Sequence, residues 1–282
     1  MEKIHIMDKT SLGIYEKAMP DQLNIHQKLQ LAKKIGFDQV EISIDESDAK
    51  LNRIFSGFAY KLAKAQRDEG IRIRTMCLSG HRKYPFGSMD TFKRNKSLAI
   101  MEKAIEFADI NGIKVIQLAG YDVYYEESTT ETEKYFVENL AKAVEMASKY
   151  GVILAFETME TEFMDTVEKA MKYVKLIDSP YLGIYPDIGN LKNAAVKYGT
   201  DVVEDLKLGR GHIFAAHLKE TNPGIYRDMI FGSGGHTEYE RCIEELKDQG
   251  VRLYTGEFWN HGEENYKEII TDAYEFLTGK LE

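Results

Sequence analysis

The chain has 282 residues, 43% of them hydrophobic and 29% charged, with 5 prolines, a balance that can bury a large core and argues against disorder. Its formal net charge of -9 disfavours DNA, RNA and anionic membranes, which are met by basic surfaces, and leaves small molecules as the expected partners. Cys77 and Cys242 are the only cysteines, too few for a disulfide framework and consistent with two buried free thiols in a reducing cytoplasm.

The amino-terminal stretch Met1-Glu-Lys-Ile-His-Ile-Met-Asp8 lacks the basic-then-apolar pattern of a signal peptide, and no run approaches the roughly 20 apolar residues of a membrane span. A cytoplasmic protein is expected. Leu12 to Lys17 reads as a first strand and Asn24 to Ile35 as a helix with apolar residues at helical spacing, stopped at Gly36. Gln39 to Ile44 alternates as a second strand, Leu51 to Glu69 is the next helical segment, and Ile71 to Leu78 is a third strand. A long helix over Met89 to Ile110, a fourth strand over Lys114 to Ala119 and a helix over Thr132 to Tyr150 follow. The fifth strand, Gly151 to Glu157, is a short apolar run with an acid at its exit, as expected of a parallel strand covered on both faces. Beyond it come a helix over Val167 to Ile177, a sixth strand closed by Asp187, a longer polar loop, and a helix near Val202 to Leu208. The seventh strand closes at His217 and the eighth at Glu257, with helices over Tyr239 to Lys247 and Tyr266 to Leu277.

Eight alternations of strand and helix predict a single α/β domain, a (β/α)8 TIM barrel over 1–282, in which every strand has two neighbours and no edge is exposed. A Rossmann-type sheet would need a glycine-rich turn after the first strand, and Glu16-Lys-Ala-Met-Pro20 has none. Gly232-Ser-Gly-Gly235 comes too late to open a first unit and is a weak phosphate-cradle signal.

Four successive strand ends supply Glu157, Asp187, His217 and Glu257. In a closed barrel they converge, and three oxygen donors with one imidazole suit a single divalent ion: Mn²⁺, Mg²⁺, Co²⁺ or Zn²⁺. Without a cation, three close carboxylates would repel one another and take up protons.

Leu12-Gly-Ile-Tyr-Glu-Lys-Ala18, His81-Arg82 with Pro85-Phe-Gly-Ser88, Tyr185-Pro-Asp-Ile-Gly-Asn190 and His212-Ile-Phe-Ala-Ala-His-Leu-Lys219 resemble the sugar-phosphate 3-epimerases of the xylose isomerase-like barrel superfamily. The resemblance covers nearly the whole chain. It implies one metal held by Glu157, Asp187, His217 and Glu257, with the two glutamates also exchanging protons with the substrate. It further implies a ketopentose 5-phosphate of the L-ribulose and L-xylulose pair as substrate, in L-ascorbate utilisation. The sequence departs from the pattern at Asn190, where free-ketose epimerases carry a histidine, at Glu220, where an aspartate is usual, and in a longer Asn190–His212 interval.

Epimerising carbon 3 of a 2-ketose removes a proton α to the carbonyl and returns one to the opposite face. A metal chelated by O2 and O3 stabilises the cis-enediolate, and inversion requires two bases, the roles expected of Glu157 and Glu257. For substrate contacts, His81 and Arg82 either meet substrate or phosphate or shape their loop, and Lys219 either meets a hydroxyl or phosphate or forms a supporting salt bridge. Glu160 and Asn190 are candidate hydroxyl partners. Glu41 is another, unless it pairs with a base such as Lys17. Trp259 either covers the site or packs at the barrel mouth, while His212 is read as structural and His5, His26, His236 and His261 have no motif support. Three other readings compete: an aldose-ketose isomerase, which would need a richer two-metal set; an apurinic-site nuclease, opposed by seven histidines and the negative charge; and a non-catalytic sugar-phosphate binder. The expected partner is a sugar phosphate, with no nucleic acid and no membrane; a homo-oligomer, dimer or tetramer, is also carried as an expectation.

Overall fold

A computed structural model describes residues 9–282, so the reading of the amino-terminal segment and His5 lie outside the described residues. The strands are β1 (Ser11–Tyr15), β2 (Gln39–Ser43), β3 (Arg72–Leu78), β4 (Val115–Leu118), β5 (Ile153–Glu157), β6 (Leu182–Tyr185), β7 (Ala216–Leu218) and β8 (Leu253–Gly256). All paired neighbours run parallel in the order β6-β5-β4-β3-β2-β1-β8-β7. The two ends of that order meet: Ile184 N donates to His212 O (2.8 Å), Phe214 N to Ile184 O (3.1 Å) and His217 N to Pro186 O (2.9 Å). The sheet is therefore a nearly closed barrel. Gly183 permits this last seam, since a Cβ there would lie 2.3 Å from the Phe214 ring and 2.4 Å from His212 O.

The helices are α1 (Ile25–Ile35), α2 (Asp48–Leu51), α3 (Phe58–Glu69), α4 (Thr91–Asn111), α5 (Thr130–Ser148), α6 (Val167–Ile177), α7 (Ile188–Tyr198), α8 (Val202–Leu208), α9 (Tyr239–Asp248) and α10 (Tyr266–Leu281). Their starts carry the expected chemistry. Asn24 and Gln27 form a reciprocal capping box on α1, and the Thr166 side chain accepts from Lys169 N on α6. At their ends, Gly70 and Gly112 take the left-handed conformation (φ 66° and 70°) that lets the chain turn back into the next strand.

Strand alternation then decides what faces where. Ile14, Ile42, Leu154 and Ile184 are fully buried in the main core with helix residues such as Leu29, Leu62, Ala104 and Leu140. A second, smaller apolar cluster of Val115, Ala155, Tyr185 and Ala215 fills the barrel interior, with Ile153, Phe214 and Leu253 against it. Among the described residues no helix is long and apolar enough to cross a membrane.

Two sequence expectations are corrected. The stretch after Asp187 is not a polar loop but α7, capped by the Asp187 side chain, which accepts from Asn190 N at 2.8 Å. Leu191, Ala194 and Ala195 supply its buried face and Gly199 its left-handed end, so most of the long Asn190–His212 interval is helical. The segment expected as one helix from Leu51 to Glu69 is broken by a 3-10 turn over Asn52–Phe55 and a non-helical Ser56-Gly57 before α3 begins.

Candidate metal centre and active site

Each candidate ligand is delivered by the end of a strand. Glu157 is the last residue of β5, Asp187 stands two residues beyond β6, His217 lies within β7, and Glu257 follows β8 directly. All four are buried, and one ligand atom from each lies within 4.8 Å of the other three. Their centre is His217 Nδ1: Glu157 Oε1 and Glu257 Oε2 are each 3.5 Å from it, and Asp187 Oδ2 is 3.9 Å away. The Asp187 carboxylate divides its work, Oδ1 capping α7 while Oδ2 faces the cluster.

The surroundings of the imidazole show whether the donor set fits a divalent cation. Glu41 Oε1 lies 2.6 Å from His217 Nε2. A carboxylate can only accept, so Nε2 carries a proton; without a cation Nδ1 is protonated as well, and a divalent ion in place of that proton would leave a neutral ring with its Nδ1 lone pair on the ion. That is the arrangement of a metal-facing histidine, and the residues fit the ion. The electrostatics agree. Burial, then the facing Glu257, pushes Glu157 up to about 7, and burial and Glu257 raise Asp187 to about 6 against the pull of Lys219. Burial also opposes ionisation of Glu257, yet Lys219 and His217 hold it well below the ordinary carboxylate range. Burial would lower the pKa of His217, but Glu41 and then Glu257 keep it well above the ordinary histidine value.

Lys219 Nζ is 2.8 Å from Asp187 Oδ2 and 3.1 Å from Glu257 Oε2, so the supporting salt bridge is the contact it makes here; it also lines the pocket above the cluster. Asn190 lines the same pocket. Its Nδ2 donates to Thr158 O at 2.8 Å, while its buried Oδ1 has no hydrogen-bond partner among the described residues and leaves an acceptor open. Glu160 and Arg82 are also in the lining. The Arg82 guanidinium sits 4.6 Å from the centre of the Tyr124 ring, and the Tyr124 hydroxyl reaches Glu160 Oε1 at 3.4 Å.

Two expected substrate contacts are elsewhere. His81 is buried with Nε2 3.1 Å from Ser97 O and its ring centre 4.5 Å from that of Phe86; burial lowers its pKa to about 4, and it shapes its loop as a neutral ring. Glu41 is fully buried on β2, bonded to His217 and to the Tyr185 hydroxyl (2.9 Å), below the pocket rather than in its lining. Nor does it pair with Lys17, which instead meets Asp45 at 2.7 Å.

The sequence reading missed Tyr226 and Arg227. They line the pocket from the irregular segment between β7 and α9, which carries no periodicity to mark it. Arg227 Nη2 lies 3.0 Å from Glu160 Oε1, and its guanidinium is 5.8 Å from the Trp259 ring centre. Trp259 also lines the pocket, edge-on to Tyr15 with ring centres 6.2 Å apart.

The chain matches the family described as xylose isomerase-like TIM barrel over residues 29–279. It is 43% identical over 273 residues, 96% of this chain and 94% of the relative, to L-ribulose-5-phosphate 3-epimerase UlaE of Escherichia coli strain SMS-3-5 / SECEC. A solved L-ribulose 3-epimerase superimposes with a TM-score of 0.77 at 16% identity, covering 96% of this chain and 94% of that one. The crystal structure of the IOLI protein with a bound zinc atom does so with a TM-score of 0.77 at 19% identity, covering 96% and 98%. At those identities the two structures show the shared fold.

Proposed function

The chain belongs to the xylose isomerase-like TIM-barrel family, and we propose on that premise that it is a metal-dependent ketose 3-epimerase, an enzyme of the isomerase class. The observation that carries the proposal is the buried cluster in which two glutamates, from strands with two others between them, approach one imidazole nitrogen at the same 3.5 Å. Glu157, Asp187, His217 and Glu257 would hold one divalent ion, Mn²⁺, Zn²⁺, Co²⁺ or Mg²⁺. That ion supplies Lewis-acid stabilisation of the charge that builds on the substrate's oxygens as the carbon 3 proton leaves.

The chain's own groups do the rest. One glutamate takes the proton from carbon 3, and the other, protonated, returns one to the opposite face. Asn190 Oδ1 accepts from a hydroxyl, Lys219 and Glu160 orient the polyol, and Trp259 with Arg227 excludes water above it. Within this reading the substrate is the L-ribulose 5-phosphate and L-xylulose 5-phosphate pair, as the relatives' name suggests. Arg82 is the candidate for the phosphate. The setting is cytoplasmic, in L-ascorbate degradation, with the single barrel working alone or as a dimer or tetramer.

The deciding experiment follows the proton. Product formed in deuterated water is expected to carry deuterium at carbon 3, because the returning acid exchanges with solvent. A hydride shift between carbons 1 and 2 would leave carbon 3 unlabelled, and that outcome would overturn the reading. Each of Glu157→Gln and Glu257→Gln should lose epimerisation while retaining exchange with only one epimer, and a different epimer in each variant. Identical patterns would indicate a single base.

A further inference from the structure

The barrel interior holds a fully buried carboxylate that the proposed chemistry does not use. Glu41 leaves β2, and its two partners, Tyr185 and His217, come from β6 and β7 on the other side of the barrel. Both oxygens are engaged: Oε1 at 2.6 Å from His217 Nε2, Oε2 accepting from the Tyr185 hydroxyl at 2.9 Å. That hydroxyl is in turn 3.1 Å from Thr255 Oγ1 on β8. The Tyr185 ring stands edge-on to the imidazole with centres 4.8 Å apart, and the Gln117 amide nitrogen lies 3.2 Å from Nδ1. The ring is thus confined on its faces by packing, but packing cannot choose between its two nitrogens. Glu41 is the acceptor that holds Nε2, at 2.6 Å, against carboxylates 3.5 Å or more from Nδ1.

We propose that Glu41, held by Tyr185, is the positioning residue of the metal centre: by accepting from Nε2 it selects the tautomer and the ring orientation that aim the Nδ1 lone pair at Glu157, Asp187 and Glu257. The inference rests on the metal reading given above. A buried carboxylate is costly to desolvate, and an imidazole beside a divalent ion gains donor strength when its other N–H meets an anion. Removing such a partner typically weakens metal affinity about 10–100-fold.

The test measures Zn²⁺ affinity of the full chain by competition with a chromophoric chelator. Glu41→Ala, which removes the acceptor, is expected to weaken Zn²⁺ binding by about 10–100-fold, Glu41→Gln, which keeps an acceptor oxygen, by less, and Tyr185→Phe by less again. At saturating Zn²⁺, kcat of Glu41→Gln should recover further than its affinity. A purely structural role would lower the melting temperature of the chelated protein and leave the Zn²⁺ Kd at the wild-type value, which would overturn the proposal. An independent arm needs no variant: in ¹⁵N spectra of the Zn²⁺-loaded wild-type protein, His217 is expected to carry its proton on Nε2, and a proton on Nδ1 would sink the idea. Wild-type protein that binds no Zn²⁺ would remove the metal reading itself, a failure distinct from normal wild-type binding with unaltered variants.

Discussion

A lone buried carboxylate and a cluster of three lie at the exits of the barrel strands, and their surroundings are built in opposite ways. Glu16, just after β1, is fully buried with the Arg53 guanidinium on both its oxygens (2.7 and 2.9 Å), Lys28 at 3.3 Å, and Ser43 N donating at 3.0 Å. Burial would raise its pKa, but the Arg53 hydrogen bonds and charge, and then Lys28, bring it down from 4.5 to about 2. One anion has two cations. Around Nδ1 of His217 the ratio is reversed: three carboxylates share one fixed ammonium, with Glu41 a fourth on the ring's other nitrogen, and two of the three at Nδ1 are pushed up rather than down. A carboxylate lowered by its neighbours is held in its charged form and serves architecture, whereas carboxylates raised by burial, and then by a facing carboxylate, are left wanting a cation or a proton.

The largest effect expected from breaking this contrast is chemical. Glu157→Gln or Glu257→Gln, assayed at saturating metal, should reduce kcat by about 10²–10⁴-fold, the usual worth of a positioned acid or base. Asp187→Ala or His217→Ala should instead appear first as weakened metal binding. If either Gln variant turned over at the wild-type rate once metal was restored, the two-base assignment would fail. Glu16→Gln comes next and acts on the other axis. It leaves the buried Lys28 and the partly buried Arg53 without their anion and should cost about 3–5 kcal/mol in a urea melt, with kcat per folded molecule unchanged. Loss of activity without loss of stability would contradict the architectural role.

The pH dependence separates the clusters without mutation. Glu16 has a folded pKa of about 2 against an ordinary 4.5, so its stabilisation is complete above 4.5 and is lost as pH falls toward 2, on the order of 3 kcal/mol in all. Glu157 and Asp187 behave oppositely in metal-free protein. Their folded values of about 7 and 6 lie above the ordinary ones, so the fold prefers them protonated, and stability should decline as pH rises from about 4 through 7. Melts of chelator-treated and metal-loaded protein at pH 5 and 8 isolate that decline, because Glu16 stays ionised across the window. A chelated-minus-loaded difference that stays constant between pH 5 and 8 would refute the charge deficit, since the opposite contribution of buried His81 is common to both forms.

The eight-unit alternation and the four residues of the buried cluster were legible because each of the four closes a short apolar run, a local signal that survives without any knowledge of packing. What was not legible depends on which level of the barrel a side chain occupies. Glu41 shares its inward face with Gln39 and Ser43, and the polar alternation of that face showed only that the interior of β2 is hydrophilic. It could not show that Glu41 lies one layer beneath the pocket and reaches His217 from across the barrel. The Glu16 cluster was invisible for a related reason: its partners come from β2, from α1 and from the 3-10 turn that the reading merged into one helix. Helix α7 was overlooked although Leu191, Ala194 and Ala195 mark its face, since Asp187 was read as a ligand and not also as a cap.

The smallest expected effect tests whether the Glu16 cluster is a true three-body network or an ion pair with a bystander. Lys28 is almost fully buried, 3.3 Å from Glu16 Oε1 and 3.8 Å from the exposed Asp21. Arg53 already donates to both oxygens from shorter range and Ser43 N takes a further lone pair, so little of Glu16's acceptor capacity depends on the lysine. Lys28→Met keeps the apolar stem and removes an ammonium whose burial is itself costly, and these terms oppose each other. The net loss should be about 1 kcal/mol or less in a urea melt, with Zn²⁺ affinity unchanged. A loss as large as that of Glu16→Gln would mean that both cations are needed to hold the anion, and that this cluster, too, lies close to charge deficit.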